Sequence, residues 1–260
     1  MTLTLPAVEQ LPTWFMAASL ALLGAIWGSF ASALCHRWPL GESIIGGRSR
    51  CDSCGKALRP HELVPILSFL VQRGKCRICG ATIAPDILLF ELGCALVGLV
   101  CALLFAPLAA FGMAMFCWLL LPLVLLDWRH NWLPDALIIV LALAALLVTP
   151  ISHWIPQLSD RILGGIAGFA FLEGLRRGYS ALRGIDAMGA GDPKLFGALG
   201  LWVGWQALPI LLLMTSILGL ADFARRYRRA QRADLKLPLG SYMGMAAIGW
   251  MCFSAVYRPF

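Results

Sequence analysis

Eight long apolar runs, separated by shorter polar segments, occupy most of this 260-residue chain. A bilayer core about 30 Å thick takes about 20 apolar residues per helix, and only helices or closed barrels satisfy the backbone inside it. The chain is 60% hydrophobic and 13% charged, so it lacks the polar side chains needed to cover a soluble globule. The sequence therefore predicts an all-α polytopic membrane protein with about eight transmembrane helices. The runs are Thr13–Leu34, Ile87–Phe105, Ala109–Leu126, Leu133–Val148, Ile162–Leu175, Met188–Val203, Ala207–Phe223 and Ser241–Val256.

The basic residues predict how these spans are oriented. No basic segment precedes the first run, so we expect an uncleaved span and not a signal peptide. With eight crossings, every Lys and Arg except Arg161 and Arg258 falls on one side of the membrane. The positive-inside rule makes that side cytoplasmic and places both termini outside. The net charge of +7 then reflects topology and contact with anionic lipid, and we expect no nucleic-acid partner.

One long polar segment, residues 35–86, carries two CxxC pairs that are each followed by glycine. Four thiolates in two such knuckles complete a tetrahedral zinc site, and so small a segment cannot bury a large core unaided. We predict a cytoplasmic zinc-ribbon-like insertion, with unmetallated or redox-active thiols as the alternative. The predicted organisation is a first transmembrane helix (1–34), a tetracysteine domain (35–86) and a membrane-embedded core (87–260). The predicted ligands are Cys51, Cys54, Cys76 and Cys79.

Two carboxylates stand at the edges of apolar runs, where an ionisable side chain is costly. Asp127 ends the third run, and Asp192 begins the sixth within Gly189-Ala190-Gly191-Asp192. The predicted topology puts both at the cytoplasmic boundary, where one can hold a proton while the other activates water. Glycines at 189 and 191 would let a peptide backbone approach. Two structural alternatives remain: Asp192 as a helix-entry residue before Pro193, and Asp127 as the ion-pair partner of Arg129.

These features together resemble the type IV prepilin peptidases, membrane aspartic peptidases that carry the GxGD motif. The resemblance covers nearly the whole chain and rests on the order and spacing of several short pieces. They are Gly28-Ser29-Phe30, His36-Arg37, Glu62-Leu63-Val64-Pro65, Arg73-Gly74-Lys75-Cys76-Arg77, Glu91-Leu92, Asp127 with Leu133-Pro134-Asp135, GxGD itself, Gly200-x3-Gly204-Trp205, and Leu237-Pro238-Leu239-Gly240-Ser241-Tyr242.

The resemblance implies a function. Asp127 and Asp192 would be the catalytic dyad, cleaving the short basic leader of prepilins or pseudopilins after glycine at the cytoplasmic face of the bacterial inner membrane. Asp135 would be a structural residue opening the fourth span. By the same resemblance, the enzyme then N-methylates the new terminus with S-adenosylmethionine, and Glu62, Gly74 and Lys75 match positions linked with that step. No glycine-rich nucleotide motif supports methylation independently.

The chain also departs from the family pattern at several positions. Ala31-Ser32 replaces the usual Asn-Val after Gly-Ser-Phe, Leu88-Leu89-Phe90-Glu91 replaces Pro-Leu-Val-Glu, and Pro193 follows GxGD in place of a hydrophobic residue. Leu239-Gly240-Ser241-Tyr242 replaces Phe-Gly-Pro-Tyr. Two other functions remain as alternatives, a transporter with an acidic proton relay and a non-catalytic subunit of pilus or secretion assembly. Neither internal repeats nor acids near a bilayer midplane support the transporter.

Overall fold

The computed structural model describes residues 11–42, 49–148, 156–185, 188–230 and 237–257, with the side chains of 228–230 and 255–257 left undescribed. Arg258, one of the two basic residues assigned to the outer side, lies outside these ranges. Within them the chain is helical, and no β-strand occurs apart from two isolated bridges. The α-helices are α1 (Thr13–Arg37), α2 (Leu67–Val71), α3 (Pro85–Leu104), α4 (Pro107–His130), α5 (Asp135–Val148), α6 (Leu158–Arg183), α7 (Gly191–Val203), α8 (Leu208–Ala230) and α9 (Leu239–Tyr257).

The longer helices follow the predicted apolar runs in order, so the prediction of a helical membrane protein is confirmed. In the part of the chain that the structure describes, four segments are long and apolar enough to cross a membrane. A further apolar helix, Asp135–Val148, is shorter. The count of eight spans therefore stays a prediction. The four segments are Thr13–Leu40, Pro85–Leu104, Pro107–His130 and Trp205–Tyr227.

The chain forms two compact units, one ending at Trp118 and the other beginning at Leu119, so the boundary falls inside α4. In the first unit α1 packs closely along α3. A Cβ at Gly24 would lie 2.2 Å from the Cys94 carbonyl oxygen, and one at Gly98 would lie 2.3 Å from the Leu20 carbonyl oxygen. Only glycine at these two crossing points lets the backbones come this close, as is common between helices in membranes.

In the second unit, α7 is the central helix of the packing and also carries Asp192. It packs against α5, α6 and α9, and nearly all of its side chains from Asp192 to Val203 are buried. The contact with α6 is made by glycine on both sides, since a Cβ at Gly164 would lie 2.6 Å from the Gly200 carbonyl oxygen. The position of Asp192 therefore depends on how closely these two backbones approach.

Arg161 closes the opposite end of this unit and is completely buried. Its guanidinium donates to the carbonyl oxygen of Leu201 at 2.7 Å and to that of Ala145. These carbonyls belong to the last turns of α7 and α5, where backbone acceptors lack intrahelical donors and the helix dipole favours a cation. Arg161 therefore fixes the ends of both helices.

Candidate functional site

Asp127 lies in the last turn of α4 and is 4% exposed. Its Oδ2 accepts a hydrogen bond of 2.6 Å from the backbone N–H of Ser241 and one of 3.0 Å from the hydroxyl of the same residue. Ser241 is fully buried in the first turn of α9. The carboxylate thus sits against a helix N-terminus, which favours negative charge.

Asp192 occupies the first turn of α7 and is 6% exposed. Its Oδ2 accepts a hydrogen bond of 3.1 Å from the Gly189 N–H, while its own N–H donates to the Gly189 carbonyl oxygen at 3.2 Å. A Cβ at Gly189 would lie 3.2 Å from the same Oδ2. The Gly-x-Gly turn therefore wraps around the carboxylate, although the helix itself begins after Ala190 without a side-chain cap.

Two residues connect the surroundings of the carboxylates. The backbone N–H of Gly240 lies near both carboxylates, and a Cβ at Gly240 would lie 3.2 Å from Asp127 Oδ2. The charge of Asp127 also acts on Asp192. Leu133 packs on both supporting turns: a Cβ at Gly191 would lie 2.7 Å from the Leu133 Cβ, and one at Gly240 would lie 2.8 Å from its Cδ1. The structure thus brings the two sequence-predicted aspartates into one buried site.

Asp135, the acid of the Leu-Pro-Asp motif, lies in a different environment from the two buried aspartates. It opens α5, and both of its carboxylate oxygens accept hydrogen bonds from the Lys194 ammonium, at 2.8 and 2.7 Å. Both side chains are substantially exposed, at 60% for Asp135 and 43% for Lys194. An exposed ion pair of this kind contributes little to stability. Asp135 therefore differs from the two buried carboxylates in both environment and partner.

The four cysteines of residues 35–86 form two matching knuckles. In each, the glycine after the second cysteine has a left-handed backbone, with φ of 70° at Gly55 and 72° at Gly80. Each glycine N–H donates to the carbonyl oxygen of the first cysteine of its pair at 2.9 Å. An antiparallel bridge flanks each knuckle, Arg50 with Ala57 and Lys75 with Thr82. The left-handed turns explain why both CxxC pairs are followed by glycine.

The four sulfur atoms fit a tetrahedral metal site. All lie within 4.8 Å of one another, and Cys51 Sγ is 3.9 Å from Cys79 Sγ. Zn–S bonds of about 2.3 Å place tetrahedral thiolates roughly 3.8 Å apart. Hydrogen bonds from the backbone of Cys79 and Ile78 lower the pKa of the Cys76 thiol from 9.0 to about 7. At Cys79 the Ala81 backbone hydrogen bond is outweighed by burial and the neighbouring thiols, which raise the pKa of that thiol to about 11, so Cys76 is the thiol of this pair that ionises readily. A four-cysteine cluster that could hold a metal ion, as the spacing predicts, is confirmed.

The positions linked with methylation lie in the same unit. The Glu62 Oε2 accepts a hydrogen bond of 2.8 Å from the Arg59 N–H and so caps the short 3₁₀ turn Pro60–Leu63. Gly74 has a φ of 67°, and a Cβ there would lie 3.0 Å from the Phe69 ring. Lys75 is exposed and belongs to the bridge with Thr82. Glu62 thus has a local structural partner, while Gly74 occupies a backbone position that suits glycine alone.

One buried acid in this unit has a contact that the sequence did not predict. Glu91 of α3 is 4% exposed, and its Oε2 accepts a hydrogen bond of 2.7 Å from the Ile66 N–H. Ile66 has a φ of 64°, a strained conformation for a β-branched residue, and the Leu67 N–H closes the turn on the Pro65 carbonyl oxygen at 2.6 Å. Glu91 therefore anchors a strained turn shortly after Glu62. The Glu91-Leu92 piece of the family pattern was the one available signal.

Two family profiles match the chain in succession. The profile described as "Bacterial Peptidase A24 N-terminal domain" matches residues 22–105, and that of the "Type IV leader peptidase family" matches residues 113–223. The first range contains all four knuckle cysteines, and the second contains Asp127 and Asp192.

Curated relatives match over nearly the whole length. A prepilin leader peptidase/N-methyltransferase of Burkholderia pseudomallei is 33% identical over 97% of this chain and 90% of its own. Proteins of the same name from Pseudomonas putida and Aeromonas salmonicida are 32% and 31% identical. The match to the Pseudomonas putida protein covers 92% of this chain and 90% of the relative. The match to the Aeromonas salmonicida protein covers 96% of this chain and 94% of the relative. No solved structure gives a significant match.

Proposed function

Because the chain belongs to the type IV leader peptidase family, we propose that it cleaves prepilin or pseudopilin leaders with Asp127 and Asp192 as an aspartate dyad. The observation that carries the proposal is the site itself: two buried carboxylates from distant parts of the chain, each at a helix N-terminus, interacting with the same Gly240 N–H. Two buried carboxylates whose charges interact favour a shared proton, which supplies an acid and a base together.

In the proposed reaction the ionised aspartate takes a proton from water, and the resulting hydroxide attacks the carbonyl carbon of the leader's terminal glycine. The protonated aspartate then gives its proton to the departing amine as the C–N bond breaks. The glycines at 189 and 191 leave the turn before Asp192 without side chains. An extended substrate backbone could therefore approach the carboxylates.

Placement in the membrane belongs to the same proposal. If the chain crosses the membrane eight times, the positive-inside rule makes the side with the basic residues cytoplasmic, and the dyad would lie at that boundary of the inner membrane. A prepilin leader is basic and is followed by an apolar helix, so the scissile bond would lie at that boundary while the helix stays in lipid. We also propose the division into residues 1–34, 35–86 and 87–260.

We further propose that residues 35–86 form a zinc-stapled domain that takes part in N-methylation. The support is the four-sulfur cluster and the methyltransferase in the relatives' names. Zinc bound by Cys51, Cys54, Cys76 and Cys79 would link the two knuckles in a structural metal site. Because four thiolates fill the tetrahedral coordination, this zinc would have no open position for catalysis. Glu62, Gly74 and Lys75 are the residues proposed to act with S-adenosylmethionine.

The experiment that tests this function uses the purified full-length protein in detergent. A prepilin is incubated with it, with and without S-adenosylmethionine, and the new N-terminus is identified by mass spectrometry. We expect cleavage after the leader's glycine in both reactions, and a mass increase of one methyl group only when S-adenosylmethionine is present. An intact prepilin in both reactions would contradict the proposed function. Cleavage without methylation would contradict only the second activity.

A further inference from the structure

The two aspartates of the proposed dyad are not equivalent, because in the part of the chain that the structure describes the hydrogen bonds from Ser241 to the pair go to Asp127. Its N–H and its hydroxyl both reach Asp127 Oδ2, at 2.6 and 3.0 Å, and the hydroxyl also lies 2.9 Å from the Val124 carbonyl oxygen. A hydroxyl has one proton and donates to one acceptor at a time. An ionised carboxylate accepts a stronger hydrogen bond than a carbonyl does, so charge on Asp127 directs the hydroxyl toward it.

The backbone donor is available because of where Ser241 lies. It belongs to the first turn of α9, where N–H groups have no intrahelical acceptor. The next residue, Tyr242, makes the first such bond, to the Pro238 carbonyl oxygen at 3.4 Å. The Ser241 N–H therefore satisfies Asp127 at no cost to the helix. Asp192 also lies at a helix N-terminus, in the first turn of α7, so the two carboxylates differ in their direct donors and not in a helix dipole.

Asp192 has a weaker set of donors. Its Oδ2 accepts from the Gly189 N–H at 3.1 Å, and it shares the Gly240 N–H with Asp127. Hydrogen bonds to the charged form of a carboxyl group favour that form. When two carboxyl groups share one proton, the negative charge belongs on the one with more and shorter donors, which here is Asp127.

We propose that Ser241 is a positioning residue that holds Asp127 as the ionised, water-activating member of the pair and leaves Asp192 to carry the proton. This assignment rests on the proposed function. It gives each aspartate a separate role. Asp127 removes a proton from water, and Asp192 delivers one to the departing amine.

The first turn of α9, which carries Ser241, is also held by contacts of the next residue, Tyr242, with α8. The Tyr242 hydroxyl donates to Asp222 Oδ2 at 2.5 Å, and Arg226 pairs with the same oxygen at 2.5 Å. The Arg226 guanidinium also lies over the Trp128 ring, 5.2 Å from its centroid. The titratable groups on which the charge of Asp127 acts include Asp192 and Tyr242, and Asp222 and Arg226 lie beside Tyr242.

Three substitutions separate the two donors. Ser241→Thr keeps the N–H and the hydroxyl, and Ser241→Ala keeps only the N–H. Ser241→Pro removes both and restores the proline that the family pattern usually has at this position, so the Ser241 donors are a feature of this chain. Proline is tolerated in a first helical turn because that N–H has no intrahelical role. Ser216→Ala is the matched control, since the Ser216 hydroxyl bonds the Leu212 carbonyl oxygen of its own helix α8.

The test measures the rate of prepilin cleavage by the full-length enzyme against pH. We expect the acidic limb of the profile to move to higher pH, by about one pH unit in Ser241→Ala and further in Ser241→Pro, because fewer donors stabilise the charged base. Ser241→Thr and Ser216→Ala should keep the wild-type profile. Thermal unfolding in detergent identifies a variant that is misfolded, in which case the Ala and Thr profiles decide.

The two proposals fail in different ways. If Asp127→Asn abolishes cleavage while the Ser241 variants lose rate evenly at every pH, Ser241 is only structural and the inference is overturned. If Asp127→Asn cleaves at the wild-type rate, the dyad itself is wrong.

Discussion

The contact between α6 and α7 provides a quantitative test of how Asp192 is positioned. A Cβ added at Gly164 would lie 2.6 Å from the Gly200 carbonyl oxygen and 2.8 Å from both Gly204 C and Trp205 N. Ordinary contact begins at 3.4 Å. All three neighbours are backbone atoms, which cannot rotate away, so Gly164→Ala must separate the helices by about 0.8 Å. Overpacking of this kind costs about 1–3 kcal/mol.

Gly174→Ala is the matched control, because Gly174 lies in the same helix and a Cβ there meets nothing within 4 Å. Both substitutions gain about 0.5–1 kcal/mol from the better helix propensity of alanine, so their difference isolates the contact. We expect Gly164→Ala to unfold several degrees below Gly174→Ala in detergent. Prepilin cleavage should fall by up to about 100-fold, because a shift of about 1 Å at a reacting group has that effect.

Equal unfolding midpoints and equal cleavage rates for the two variants would refute this reasoning. They would mean that α6 and α7 do not approach each other at Gly164, or that their separation does not affect Asp192.

Three further outcomes follow from the other buried contacts. Cys76→Ser should lower bound zinc, measured by elemental analysis, and should speed proteolysis of residues 35–86; unchanged metal content would contradict a four-cysteine site. Arg161→Met should lower the unfolding midpoint, because each carbonyl left without a donor costs about 1–3 kcal/mol of stability. Arg161→Lys should recover only part of that stability, since one ammonium does not have the planar pair of donors of the guanidinium. Glu91→Ala should expose the turn at Ile66 to limited proteolysis, whereas Glu91→Gln, which keeps an acceptor oxygen, should protect it; equal cleavage of both would remove the anchoring role.

Hydropathy predicted which segments are helical better than where the helices end. The fifth apolar run was predicted over Ile162–Leu175, but α6 spans Leu158–Arg183. The extension is polar and carries its own pairs: Glu173 accepts hydrogen bonds from Arg176 at 2.8 Å and from Arg177 at 2.6 Å. Such pairs stabilise a helix beyond its apolar part. An apolar run therefore indicates what can be buried in lipid and does not mark the last helical residue.

Only part of the site could be predicted, because only part of it is determined by local sequence. The CxxC-Gly knuckles are local, so their spacing predicts their geometry, and the Gly-x-Gly turn around Asp192 is equally local. Ser241 is 114 residues from Asp127, and no local pattern connects the two. The departure from Phe-Gly-Pro-Tyr marked the position but did not indicate its contact. Ile66 was missed because its strained turn depends on Glu91, 25 residues away.

The central claim, that Asp127 and Asp192 work as one catalytic unit, is tested most directly by their asparagine variants. Asparagine keeps the shape and removes the carboxylate, so Asp127→Asn and Asp192→Asn should each abolish prepilin cleavage. The double variant should be scarcely worse than either one, because groups that act together do not add. Asp135→Asn is the control and should stay active, because it loses only an exposed pair with Lys194. Wild-type cleavage by Asp192→Asn, with none by Asp135→Asn, would contradict the account and assign the second carboxylate to Asp135.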